Sequence, residues 1–344
     1  MTAYFTRRLL LMIPTFLGIT LMVFTITRFV PGGPIERMIT QMQMMQGDQM
    51  ETTRDADESG SGAALSDEQR ADLEEYYGFD KPLIVSYLTW LGKVVRLDLG
   101  MSTRFNEPVW DLIKSRIPIS LTYGLTSMMI VYLVTIPLGI FKAIKHNSAF
   151  DNISSGLIFV TYAIPGYIIG LGVLVLFAFH WEMFPLGGFI SEDFEDFTRW
   201  EQLKDVIWHG VLPMVAYVAG SFAGGTFLMK NLMMDNLAAD YIRTAMAKGL
   251  DFKKAVIRHA LRNSLVPIAT GIGHAISVIL SGSFLIETIF NIDGMGLLGY
   301  ESILQRDYPV VLGILAISST LFLIGNILSD VAVALVDPRV QFGK

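Results

Sequence analysis

Long apolar runs alternate with polar stretches along this chain. Six runs stay apolar over about the 20 residues that a helix needs to cross a bilayer. They are Leu9–Val30, Ile119–Phe141, Ser154–Phe179, Gly210–Met229, Leu265–Phe290 and Val310–Val336. The third, fifth and sixth are long enough to tilt or to continue beyond the hydrocarbon as ordinary helix. The pattern predicts an all-α integral membrane protein with six transmembrane helices. The first run outlasts a signal-peptide core of about 7–15 residues, and no small-residue cleavage site follows it, so it reads as a retained span.

The polar stretches set the organisation. Residues 1–30 hold the N-terminus and first span, 31–118 a sizeable outside segment, and 119–344 the remaining spans. Within the outside segment, Gly47 to Ser66 is rich in Gly, Ser, Asp and Glu and reads as a loop. Ser66-Asp67-Glu68-Gln69 then resembles a helix start, and Leu83 to Leu97 reads as amphipathic helix.

Charge is sorted by side. Arg7 and Arg8, Lys142 and Lys145, the seven Lys and Arg residues from Lys230 to Arg262, and Arg339 with Lys344 fall on alternate polar stretches. The stretch Trp181 to Val206 is acidic instead, with Glu182, Glu192, Asp193, Glu195, Asp196, Glu201 and Asp205 against Arg199 and Lys204. Basic flanks stay inside, so both termini and the basic loop at 230–264 are expected in the cytoplasm. This sorting empties the formal net charge of −6 of meaning as a guide to partners.

Composition agrees: 52% of residues are hydrophobic and 17% charged, against about 25% charged in a soluble domain. No cysteine is present, which excludes disulfide frameworks, thiolate metal sites and cysteine nucleophiles. The 18 methionines read as lipid-facing and core filler. Phosphate-binding loop, H-E-x-x-H and G-x-S-x-G patterns are missing, and His146, His180, His209, His259 and His274 lack metal-ligand spacing. Any energy for uphill movement must come from an ion gradient or from a partner. Ion coupling would use carboxylates or histidines deep in the spans, where only His274, Glu287 and Asp330 are candidates. An intramembrane enzyme would need a nucleophile–base pair, and Ser221, Ser281 and Ser283 have no surrounding motif.

Pro14, Pro137, Pro165, Pro213 and Pro267 fall one each on the first five spans, with Gly166, Gly170, Gly172, Gly220, Gly224 and Gly225 crowding the third and fourth. Tight helix packing explains these residues, and so does a bundle built to rock between two states. The basic loop is more specific. Asp240 can cap a first short helix, Gly249 can end it in the left-handed conformation, and Asp251 can cap a second, with Leu250 as a staple. Tyr241, Ile242, Ala245, Met246 and Leu250 then give apolar surface beside the basic residues. A lipid-facing basic loop and a helix that seats in a partner's groove are both open readings.

Several blocks together resemble one family. Arg243-Thr-Ala-Met-Ala-Lys-Gly249, with His259-Ala-Leu-Arg-Asn263 and Leu265-Val-Pro267, is similar to the cytoplasmic EAA loop of permease subunits in bacterial ABC importers, in its dipeptide/oligopeptide/nickel form. Phe29-Val-Pro-Gly-Gly-Pro34, Tyr77-Gly-Phe-Asp-Lys-Pro82, Asp98-Leu-Gly-Met-Ser102, Ile286-Glu-Thr-Ile-Phe290, Gly294-Met-Gly-Leu-Leu-Gly299, Arg306-Asp-Tyr-Pro309 and Val336-Asp-Pro-Arg339 agree in order. The Pro-Gly-Gly-Pro form and the lengthened outside segment look most like permeases for microcin C and oligopeptide uptake. Arg243 stands where the broad motif has glutamate, so position 243 has no acidic role.

The resemblance implies a type I permease fold in the bacterial inner membrane. It implies a second, homologous permease, two ATPase subunits that bind ATP and magnesium, and a periplasmic substrate-binding protein. This chain would itself bind no cofactor, catalyse nothing and meet lipid but no nucleic acid. Tyr241, Arg243, Thr244, Ala245, Lys248, Gly249, His259 and Pro267 would form the ATPase-coupling loop. Ala245 would face the ATPase cleft, and Glu287 with His274 would line the pathway. The alternative is an ion-coupled secondary transporter working without ATPase partners.

Overall fold

The computed structural model describes residues 2–29 and 81–336; the side chains of 2, 3, 272–281 and 336 lie outside that description. The Pro-Gly-Gly-Pro block, the stretch 41–66, the helix start at Ser66 and most of the Val336–Arg339 block therefore fall outside the described residues. The described residues are helical, without strands, in two units: 2–10, 115–298 and 320–336 form one, and 11–29, 81–114 and 299–319 the other.

In the smaller unit, α1 (Thr2–Phe29) supplies its residues from Leu11 onward and α2 (Leu83–Val94) packs on them. The Thr20 and Tyr87 hydroxyls lie 2.9 Å apart, and Arg28 donates to Ser86 Oγ at 2.8 Å. The helix expected to Leu97 stops at Val94, and Leu97 turns back with φ +61°. The Asp98–Ser102 block is held by Asp307, whose buried carboxylate accepts from Ser102 Oγ at 2.5 Å and from the Thr103 and Arg104 N–H groups at 3.3 Å.

The larger unit is built from α3 (Val109–Ile144), α4 (Ala149–Ala163), α5 (Gly166–Val173) with a π-helical turn Leu174–His180, and α6 (Arg199–Ala238). Then come α7 (Asp240–Ala247), α8 (Phe252–Ala255) with a π turn Val256–Ala260, α9 (Leu261–Ser281) and α10 (Phe284–Ile289). The described residues end with α11 (Met295–Leu304) and α12 (Tyr308–Val336), both divided between the units.

α6 is the axis of this unit. Its 40 residues make a rod about 60 Å long, opened by a capping box in which Thr198 and Glu201 bond each other's main-chain N–H groups. It packs against α4, α5, α7, α9 and α10. One apolar core, around Leu212 and Ala216, joins Tyr123, Ala178, Ile286, Phe290 and Ile292. A second, around Met229 and Met233, joins Ala143, Ile242, Ala255, Val256, Ala260 and Ile268.

Two of the six expected spans are not continuous helices. The third breaks by 90° between α4 and α5. Pro165 has no N–H to donate and drives Ile164 out of the helical region, to φ −102°, ψ 122°. The fifth ends at Ser281, because Gly282 (φ +63°, ψ −171°) reverses the chain before α10. Among the described residues four helices are long and apolar enough to cross a membrane, and the bent pair makes a fifth.

Small residues set the closest helix approaches. A Cβ on Gly139 of α3 would stand 2.6 Å from Met229 Cβ and 2.9 Å from Thr226 O on α6, whereas one on Gly172 would meet nothing. Gly139→Ala is expected to destabilise the protein by about 1–3 kcal/mol, read as a lower Tm in detergent, with Gly172→Ala unchanged or slightly stabilised. Equal Tm values for both variants would contradict a tight α3–α6 crossing.

Candidate functional site

The stretch from Ala238 to Ala260 folds as an elbow on the second core. α6 and α7 are separated by Ala239 alone, and Ala239, not Asp240, is the residue that caps α7. Asp240 instead occupies the first helical position, where its carboxylate stands 3.6 Å from Arg243 and its main-chain carbonyl accepts from Thr244 Oγ1 at 2.9 Å. Negative charge in a first helical turn opposes the helix dipole favourably, so the acid stabilises α7 without capping it.

Gly249 ends α7 as the sequence predicts. Its φ is +91°, its N–H donates to Met246 O at 2.9 Å, and Leu250 N–H donates to Ala245 O at 3.1 Å. These paired bonds are a Schellman closure. Leu250 turns in against the second core. Asp251 then accepts from Lys253 N–H at 3.2 Å and starts the next helix. That helix is not a separate second arm: α8, the π turn and α9 follow one another in right-handed helical conformation. The elbow therefore joins α6 directly to α9, with α7 as its projecting part.

α7 has two faces. Ile242 is buried in the second core and Ala245 is half-buried, while Tyr241, Arg243, Thr244, Met246, Ala247 and Lys248 are exposed. Tyr241 donates its hydroxyl to Asn236 Oδ1 at 2.5 Å, and Asn236 Nδ2 donates to Ser264 Oγ at 3.1 Å. Ser264 Oγ in turn donates to Ala260 O at 2.9 Å. This relay fastens the end of α6, the start of α7 and the start of α9 to one another. His259 is half-buried in the π turn, and Pro267 is exposed within α9. Of the residues expected in the coupling loop, Tyr241, Arg243, Thr244, Ala245, Lys248, Gly249 and His259 share this elbow, and Pro267 lies beyond it in α9. Ile242 as its anchor, and Asn236 with Ser264 as its bolt, were not legible beforehand, although an aliphatic residue three positions before Ala245 is a helical-face signal.

The second candidate lies on the reversal after α9. Glu287 is 1% exposed, and its carboxylate accepts from Leu297 N–H at 2.6 Å, Ser283 N–H at 3.2 Å and Tyr217 Oη at 3.4 Å. Gly282 and Gly294 leave room where a Cβ would strike this carboxylate. The arrangement closes residues 282–297 into a knot tied to α6 through Tyr217. His274 falls on α9, and its side chain lies outside the described residues. Asp330, the third candidate for ion coupling, is paired with Arg8 at 2.7 Å.

Comparison with known proteins gives these elements a class. Residues 135–342 match the family of binding-protein-dependent transport system inner membrane components, a region that includes the elbow and the Glu287 knot. The whole chain aligns, at 40% identity over 99% of the relative, with the peptidoglycan transport system permease protein YejB of Agrobacterium fabrum. It is 34% identical to the oligopeptide transport system permease protein AppB of Bacillus subtilis, covering 99% of this chain and 100% of that protein. It is 32% identical to the dipeptide transport system permease protein DppB of Escherichia coli strain K12, with both chains fully covered. The chain belongs to the family of binding-protein-dependent transport system inner membrane components, the ABC type I permease fold. It is a multi-pass membrane permease subunit, and this membership gives the ion-coupled alternative no support.

The knot makes a measurable claim. Glu287→Ala would leave the Ser283 and Leu297 N–H groups without their acceptor, each at a cost of about 1–3 kcal/mol, so its Tm is expected to fall clearly. Glu287→Gln keeps one carbonyl oxygen and is expected to fall between the two. A wild-type Tm for Glu287→Ala would contradict the knot.

Proposed function

We propose that this chain is one of two homologous permease subunits of an ATP-driven importer that moves peptides or peptide-like compounds inward across the bacterial inner membrane. Both termini and the basic loop at 230–264 face the cytoplasm in this reading, and residues 31–118 face the periplasm. The chain catalyses nothing and holds no cofactor. Two ATPase subunits bind ATP and magnesium, and a periplasmic binding protein delivers cargo to the outer loops. The names of the YejB, AppB and DppB relatives support a peptide or peptidoglycan-fragment cargo.

The observation that carries this reading is α7, a short helix anchored through Ile242 and exposed along Tyr241, Arg243, Thr244 and Lys248. Such a helix fits a groove in an ATPase, and Ala245, at the edge of the buried side, keeps the approach close. Closure of the ATPases moves α7. Because one residue joins it to α6 and the Gly249 turn joins it to α8, that motion enters the bundle on both sides. The nucleotide supplies the energy, and the bundle supplies two states that differ in their contacts with the ATPases. Glu287, with its carboxylate enclosed, shapes the outer mouth in this reading, and His274 is a pathway residue of α9.

Gly249 provides the test. Its left-handed conformation costs a β-branched residue about 1–2 kcal/mol, whereas asparagine tolerates it. In proteoliposomes holding the whole transporter, Gly249→Val is expected to hydrolyse ATP while moving far less peptide, and Gly249→Asn to retain most uptake. Wild-type uptake by Gly249→Val would contradict the elbow's role.

A further inference from the structure

A buried group of charges joins α3, α4 and α6, and neither the elbow nor the knot uses it. Lys142, in the last turn of α3, is 0% exposed. Its Nζ donates to Asp151 O at 2.9 Å, Ser154 Oγ at 2.6 Å and Ser155 Oγ at 2.8 Å, and lies 3.0 Å from Asp151 Oδ1. Asp151 is 2% exposed in the first turn of α4, which Ser148 caps by accepting the Asp151 N–H at 3.3 Å. The Asp151 carboxylate also accepts from Asn147 N–H at 3.2 Å and has His146 Nδ1 at 3.3 Å. Lys230, 79 positions further on in α6, places its Nζ 2.8 Å from both carboxylate oxygens.

The two lysines are not equivalent. Lys142 finds acceptors for all its protons within the α3–α4 hairpin, so Lys142 and Asp151 satisfy each other locally. Lys230 adds a second cation to a carboxylate that already has one. Its contact is with the carboxylate alone, and it connects the hairpin to α6 by a short, two-oxygen, charge-assisted contact.

The position of Lys230 gives that contact a use. Ala238, the end of α6, lies eight positions further on, a distance of about 12 Å along the helix, and α7 follows after Ala239. On the other side, α4 is the first half of the broken span, so it receives no rigid motion from α5 across the Pro165 break. α5 meets α6 at Gly166 and Gly170, where a Cβ would strike Ala216. α4 needs its own tie to α6, and beyond general packing the described residues give it the Phe159 and Phe227 rings stacked 4.8 Å apart and Lys230 on Asp151. Stacked rings slide with little resistance, whereas a bidentate ion contact in a dry site resists displacement.

We propose that Lys230 is a positioning residue for transport: its contact with Asp151 passes the motion of α7 and α6 into α4, and so to the Pro165 joint. The inference rests on the importer reading given above. Lys230→Met suits the test because it removes the second cation, keeps the apolar stem and leaves a neutral Lys142–Asp151 pair. A purely structural ion pair would show its loss in assembly and Tm, not in coupling.

The experiment uses the whole transporter in proteoliposomes with its binding protein and a tripeptide, and reads peptide moved per ATP alongside assembly and Tm. Lys230→Met is expected to assemble and hydrolyse ATP normally while its ratio falls about fivefold or more. Lys230→Arg, which can meet both carboxylate oxygens, is expected to restore the ratio. A wild-type ratio in Lys230→Met would overturn the inference alone. So would failure of that variant to assemble, or failure of Lys230→Arg to restore coupling, since each marks a structural role. No ATP-driven uptake by the wild-type transporter would overturn the importer reading, and this inference with it.

Discussion

The close approach of α6 to its neighbours is the contact on which the larger unit depends. Gly139 admits Met229, Gly225 lies against Thr135, and Gly166 and Gly170 rest on Ala216. In a bilayer, helix association draws no hydrophobic driving force from water, so packing and hydrogen bonds between helices must supply it. Small residues at the crossings let dispersion act at short range over the length of α6. The two apolar cores then form at separate levels of one rod, and what is fastened at either level is fastened to the same rod.

Function follows from what hangs at each level. Midway along α6, Tyr217 reaches the Glu287 carboxylate and ties the reversal of residues 282–297 to it. At the end of α6, α7 leaves after a single residue, held by Ile242 and by the Tyr241–Asn236–Ser264 relay. A displacement of α7 therefore has no slack to absorb it. The break at Pro165 is the contrasting feature, because it leaves α4 free to turn relative to α5 unless α6 holds both. Proline here divides a span into two levers, and glycine sets how closely one of them is gripped.

The sequence showed the helical membrane class plainly, because hydrocarbon demands long apolar runs. It also showed the Gly249 turn, since few residues other than glycine accept φ +91°, and the Asp251 cap, since a carboxylate there meets orphan N–H groups. Asp240 was misread as a cap because an acid one position inside a helix start has the same local signature. The breaks in the third and fifth spans were hidden by hydropathy, which averages over Pro165 and Gly282. For Glu287, sequence gives its place near a span end and not the main-chain donors that enclose its carboxylate. Lys230 was hidden for another reason: in a basic stretch it is one positive charge among seven, and Asp151 is 79 residues away.

The most direct test of the account is where α7 goes when the transporter is assembled. The chain has no cysteine, so a single cysteine at Thr244, on the exposed face of α7, reports its surroundings without interference from this subunit. In inside-out vesicles with the ATPases present, a short bifunctional crosslinker is expected to join position 244 to an ATPase subunit, with a yield that changes on adding ATP. Labelling of that cysteine in intact cells by a reagent confined to the periplasm, with no ATPase adduct, would contradict the account.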